Sequence, residues 1–205
     1  MFRFHFLALI FLFLLASCSQ DHSIYAVAET DPVATTGDAA DDPALIINTK
    51  NPRKSIILGT DKKAGIYLYD LKGTKLSFAA MGEINNIDVR QQKDEIFIAA
   101  SNRSLRSIEF WVFDQNTFFA NNASYSNIFA SASRSYSIPT NIDVYGICIG
   151  MIAGTPVAFV TEDRGPRVEL WTLENQMLVG TFSNGGESEG CVFDDENQTV
   201  FISEE

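Results

Sequence analysis

Past residue 38 the chain alternates short β-branched and aromatic runs with Gly, Asn, Asp and Pro, and no stretch sustains a helical period. The runs come in pairs separated by a polar connection. Residues 55–60 (SIILGT) precede 65–70, residues 95–101 (EIFIAAS) precede 108–114, residues 156–161 (PVAFVT) precede 167–173, and residues 199–203 begin the pattern again. Strand, polar connection, strand is the signature of an all-β fold. A hydroxyl ends the first strand of each pair, at Thr60, Ser101, Thr161 and Ser203, so the repeat intervals are 41, 60 and 42 residues. Four-stranded propeller blades repeat about every 40–45 residues. The long interval holds residues 116–137, rich in Asn, Ser and Ala, and reads as an insertion loop rather than a helix. The predicted architecture is all-β: a partial β-propeller of about three to four blades, with a β-sandwich as the alternative.

The repeat aligns chemistry as well as strands. Two residues or so after the hydroxyls stand Lys62, Arg103, Arg164 and Glu205, three cations and a carboxylate. Earlier in each unit an acidic residue opens a strand, at Asp42, Asp88, Asp143 and Glu189. Equivalent turns of a propeller gather around one end of its channel, which would bring these charges into a single mixed-charge site. Turn positions are polar in most folds, so any one of these residues alone would be a solvated surface group. Their recurrence at matched positions weakens that reading. In the first unit, Asp41-Asp42 lies close to Lys62-Lys63; carboxylates suit Ca²⁺ or Mg²⁺, and Lys is a compact point charge for phosphate.

Composition narrows the function. The 205 residues carry a net charge of -11 and are 46% apolar, enough for a packed domain and unlike a nucleic-acid binder, where a basic patch is expected. Met1–His5 carries one Arg, residues 6–15 are unbroken apolar, and Leu15-Ala16-Ser17-Cys18 follows. That run is too short to span a bilayer and reads as a signal peptide over 1–17. Its end resembles a lipobox that would make Cys18 a lipidated first residue, with an ordinary signal as the alternative. Residues 18–27 then form a tether and 28–205 the domain. The protein is expected to be exported, as a bacterial outer-membrane or cell-surface lipoprotein or in periplasmic or secreted form, with membrane contact only through Cys18. His22 is the only histidine beyond the leader, so a Ser-His-Asp triad, a phosphohistidine and a His-rich metal site are poorly supported. Cys148 and Cys191 sit in apolar runs and read as buried free thiols, with a disulfide as the other option.

Seven strings in order now carry a resemblance: residues 28–33 (AETDPV), 37–44 (GDAADDPA), 59–63 (GTDKK), 85–90 (NNIDVR), 99–103 (AASNR), 144–146 (VYG), and 189–190 (EG) with 194–196 (DDE). Together they resemble the β-propeller phytases, the alkaline calcium-dependent family, over about Ala28 to Glu205. The resemblance implies a six-bladed propeller, monomeric at full length, that binds several Ca²⁺ ions. It also implies a 3-phytase-type phosphatase that releases phosphate from phytate, presented as calcium-phytate, with a metal-activated water. Asp41, Glu189 and Glu205 match catalytic calcium ligands, and Asp42 and Glu29 are further metal positions. Lys62, Arg103 and Tyr145 match phosphate-binding positions; Arg164 stands where the family commonly has Lys, in an alignment loose by one residue. Departures are Ile46, where the family has an aromatic, and Gln91-Gln92-Lys93 after the NNIDVR string. Six blades at the repeat length need more than about 240 residues, so the chain is expected to be an N-terminal part with little activity alone. The alternative function is a non-catalytic calcium-binding surface propeller.

Overall fold

The computed structural model describes residues 24–120 and 125–204. The expected signal peptide, Cys18 and Glu205 lie outside the described residues. Three four-stranded antiparallel sheets and a two-stranded hairpin follow one another along the chain. Blade 1 is β1 (Ala40–Ile46), β2 (Ile56–Asp61), β3 (Gly65–Tyr69) and β4 (Lys75–Ala80). Blade 2 is β5 (Ile84–Gln92), β6 (Glu95–Asn102), β7 (Ser107–Asp114) and β8 (Arg134–Pro139). Blade 3 is β9 (Val144–Ile152), β10 (Thr155–Glu162), β11 (Arg167–Thr172) and β12 (Met177–Ser183), and a half-blade is β13 (Ser188–Asp194) and β14 (Thr199–Glu204). Each blade is a plain up-and-down meander, with its strands in sequence order. The partial propeller read from the sequence is the observed fold.

Both faces of a middle blade are buried, which explains why its strands read as continuous apolar runs. On β6, Ile96, Ile98 and Ala100 pack into the cluster shared with blade 1, while Phe97 and Ala99 pack into the cluster shared with blade 3. Within the stretch expected to form an insertion loop, the described residues 116–120 and 125–137 hold a helix, a turn and a strand. Asp114 caps a short helix, α1 (Gln115–Ala120), accepting the Thr117 backbone N–H and hydroxyl at 2.8 Å. A 3₁₀ turn at Ile128–Ser131 and strand β8 follow. Phe118, Ile128 and Phe129 enter the core between blades 1 and 2 against Trp111 and Phe113. A six-residue helix is too short to show a period, so its apolar anchors were indistinguishable from scattered loop residues.

The hydroxyl that marks the repeat is a clasp between blades. Thr60 Oγ1 accepts the Asp42 N–H of its own blade at 2.9 Å and donates to the Asn85 carbonyl of the next at 2.7 Å. Ser101 Oγ does the same, accepting from Asn86 N at 3.0 Å and donating to the Tyr145 carbonyl at 2.5 Å. Thr161 Oγ1 accepts from Gly146 N at 2.8 Å. Carboxylates add a second rung. Asp42 Oδ2 accepts Ile87 N–H, and Asp88 Oδ2 accepts Ile149 N–H, both at 2.9 Å.

Cys148 and Cys191, expected to be free, form a disulfide between β9 and β13, with Cα atoms 5.6 Å apart. The sequence holds no sign that these strands, which belong to different sheets, run side by side. Glycines make the approach close: a Cβ on Gly146 would lie 1.8 Å from the Glu189 carbonyl, and one on Gly150 2.0 Å from the Phe193 ring. At the other end, residues 29–34 lie along blade 1. Asp31 N–H donates to the Gly73 carbonyl, Asp31 accepts Lys75 N–H, and Ala34 N–H donates to the Tyr67 hydroxyl.

Replacing Thr60 by isosteric Val should destabilise the fold by about 2–4 kcal/mol, because a buried N–H and a buried carbonyl both lose their partner. Thr181→Val, on exposed β12, should stay within about 0.5 kcal/mol of wild type. Urea unfolding of the two variants measures the difference.

Candidate functional site

The clasps define which residues are equivalent. Lys62 N–H donates to the Ala39 carbonyl, Arg103 N–H to Glu83 and Asp163 N–H to Asp143. Asp163, one residue before Arg164, is therefore the structural counterpart of Lys62 and Arg103. The inner strands correct the acidic series in the same way. Asp42, Asn86 and Gly146 each donate their N–H to the clasp hydroxyl. The residues just before them, Asp41, Asn85 and Tyr145, are the matching set, and Glu189 continues it beside Gly190, whose carbonyl accepts from the Ser203 hydroxyl. Asp88 and Asp143 belong to other levels and do not match Asp42.

At this end of the blades the side chains form three groups. Lys62 Nζ lies 3.1 Å from Asp41 and 2.9 Å from Asp38. Hydrogen bonding to Asp38 and then to Asp41 pushes the Lys62 pKa up, and the same contact holds Asp38 below the usual carboxylate range. Across the channel, Asn85 Nδ2 of blade 2 donates to Glu189 Oε1 of the half-blade at 2.7 Å, and also to Asn86 Oδ1. Arg103 Nη2 lies 3.1 Å from Asp163, and its guanidinium stands 5.8 Å from the centroid of the Tyr145 ring. Cation–π contact and the ion pair thus fix Arg103 from two sides.

Two expected members stand apart. Glu29 is exposed, and its backbone lies against Gly73 in the β3–β4 turn, at the end of blade 1 opposite Lys62. The Arg164 side chain is 83% exposed and reaches Asp163 only at 3.9 Å. Glu205 lies outside the described residues. Asp42 is half-buried and committed to Ile87 N–H; burial pushes its pKa up to about 6. Two residues were missed. Asn85 carries no charge, and its only signal was its place in the repeat. Asp61, fully buried, accepts the Thr35 hydroxyl at 2.6 Å beside Lys62.

Three oxygens in these segments are buried without a partner: Asp41 Oδ2, Asp61 Oδ2 and Asn85 Oδ1. An acceptor buried without a donor costs free energy unless a proton, water or cation meets it. Carboxylate and amide oxygens are the donor set that Ca²⁺ takes. Among the described residues no three His, Cys, Asp or Glu side chains enclose a metal by themselves.

A profile of the phytase family matches residues 10–205. The chain belongs to the phytase family. It is 33% identical over 206 residues to the 3-phytase of Bacillus subtilis (strain 168), a match covering 91% of this chain and 52% of that protein. The chain thus spans about half the length of the curated relative it matches. A crystal structure of a Bacteroides caccae protein of unknown function aligns with TM-score 0.53 and 13% identity, over 80% of this chain and 52% of that one, and shares the fold alone.

Within this phytase-family chain, Asp42 carries a pH signature. Its folded-state value of about 6 lies above the usual carboxylate range, so the fold favours the protonated carboxyl. The stability it contributes is complete below about pH 4 and lost as pH rises through about 6. Asp42→Asn keeps an acceptor for Ile87 N–H without the buried charge. In chelator at pH 8 it should raise stability by about 2 kcal/mol, and near pH 4 by little. Melting at the two pH values checks the sign.

Proposed function

We propose that the chain carries one wall of a calcium-dependent phosphomonoesterase site that releases phosphate from phytate. The observation supporting it is the pair of orphaned buried oxygens on Asp41 and Asn85, level with Glu189 and flanked by Lys62 and Arg103. Asp41, Asn85 and Glu189, with Glu205 from beyond the described residues, are the groups that would hold calcium. Bound calcium would supply positive charge to offset phosphate and lower the pKa of a water. Lys62 would hold a phosphate oxygen as a point charge, while Arg103, steadied by the Tyr145 ring, would bind bidentately. Asn85 would orient Glu189 through their hydrogen bond. Arg164, being exposed, would meet only the periphery of a large substrate.

We also propose export, with residues 1–17 as signal peptide and Cys18 as the lipid site. The Cys148–Cys191 bond supports an oxidising compartment. The alternative, a calcium-binding propeller without hydrolysis, draws support from the pairing of Lys62 with Asp38 and Asp41 and of Arg103 with Asp163.

The test is calorimetric titration of phytate with calcium present, alongside an assay of phosphate release. Lys62→Ala and Arg103→Ala should each weaken phytate binding by about 10- to 100-fold, and Arg103→Ala should do so while leaving calcium-dependent melting unchanged. Phytate binding that ignores calcium or both substitutions would sink the proposal. Binding with no hydrolysis, even in a chain extended to the full relative length, selects the interaction module.

A further inference from the structure

The half-blade is held to the propeller differently from the other blades. Its outer face is open, with Val192 54% and Phe201 58% exposed. Among the described residues, five buried apolar side chains join it to blade 3, against fifteen between blades 2 and 3. Strands β9 and β13 lie in separate sheets, so no backbone ladder fixes how far one slides along the other. Along the strands themselves three contacts share one offset: Gly146 against Glu189, Cys148 bonded to Cys191, and Gly150 against Phe193. The two outer rungs are glycine contacts, which give closeness without a fixed level. The middle rung is covalent.

Position in the repeat shows what that bond replaces. Asp88 pairs with Ala99 across its hairpin as Cys148 pairs with Phe159. Asp88 reaches the next blade through its bond to Ile149 N–H. At the same level of blade 3 stands Cys148, and its reach to the next blade is the disulfide. Below it, Arg90 holds Phe193 O at 3.1 Å and Asp195 at 3.3 Å, and Asp195 accepts Met151 N–H at 2.7 Å. Those contacts pin the lower end of β13. Glu189 sits at the upper end, two residues from Cys191, and among the described residues its carboxylate is held by Asn85.

We propose that the Cys148–Cys191 disulfide is a positioning device for Glu189. It sets the level of β13 so that the Glu189 carboxylate meets Asn85, and it thereby tunes calcium affinity. This rests on the reading of Glu189 as a calcium ligand. The bond acts through Glu189, so neither cysteine touches ion or substrate.

The experiment is calorimetric calcium titration at low temperature, well below melting, of wild type, Cys148→Ala/Cys191→Ala, Glu189→Gln and the triple variant. The expected result is a folded double variant whose calcium affinity falls on the order of 10-fold, the size seen when groups supporting a metal ligand are removed. In the Glu189→Gln background the same cysteine substitutions should change affinity little, which a general loosening of the fold would not produce. Should the double variant not fold, the titration is made on folded wild type opened by a dithiol reductant, which closes to its own cyclic disulfide and leaves two thiols. Wild-type affinity without the bond, or an equal loss in the Glu189→Gln background, overturns the proposal. No calcium binding by wild type overturns it together with the functional reading; intact wild-type binding separates the two.

Discussion

One hydroxyl per blade sets the level of everything at the channel mouth. Apolar packing between blades is non-directional, so two sheets with buried faces can slide over each other at little cost. Thr60 and Ser101 prevent this by holding a backbone N–H of their own blade and a carbonyl of the next. The carbonyls they hold belong to Asn85 and Tyr145, the residues whose side chains face the candidate site. The clasp that orders the fold therefore orders the site, and Asp41, Asn85 and Tyr145 cannot shift level independently.

The same logic explains why the half-blade needs a different solution. Its inner strand meets blade 3 through glycines too close for side chains, over a smaller apolar contact. A covalent rung at Cys148 and an ionic one at Arg90 and Asp195 stand where broader packing serves the other blades. Gly146 is the hinge of this arrangement in a steric sense only. Any Cβ there would push the Glu189 carbonyl away and carry its carboxylate with it.

Strand pairs and the clasp hydroxyls were legible in the sequence because one residue type performs one bond at each repeat. The charges were less so. The clasp series runs Thr60, Ser101, Thr161, while the inner-strand series runs Asp41, Asn85, Tyr145, and the spacing between the two differs in blade 1. Aligning carboxylates by type therefore matched Asp42 with Asp88 and Asp143, which sit at other levels. Asn85 was invisible as chemistry because an amide announces no charge, although it shares the burial and the orphaned oxygen of Asp41. Glu29 was matched through a string whose backbone does pack on blade 1, but at the wrong end of the sheet. Helix α1 and the disulfide depend on contacts between distant segments, and no local pattern encodes them.

An acidic chain proposed to bind a polyanion would need its cations available, and here they are occupied. Lys62 is neutralised by Asp38 and Asp41, and Arg103 by Asp163. On the proposed reading this pairing is a device rather than an obstacle. Asp41 holds Lys62 through one oxygen, while its other oxygen is buried and unpartnered and would be the one to take a cation. Once that carboxylate is committed to a cation, its hold on Lys62 weakens and the ammonium can turn to a phosphate oxygen. Cation and phosphate then bind with positive coupling, carried by one shared side chain, and linkage requires each to strengthen the other equally. Asp38, 84% exposed, adds only a screened partner that a phosphate can displace.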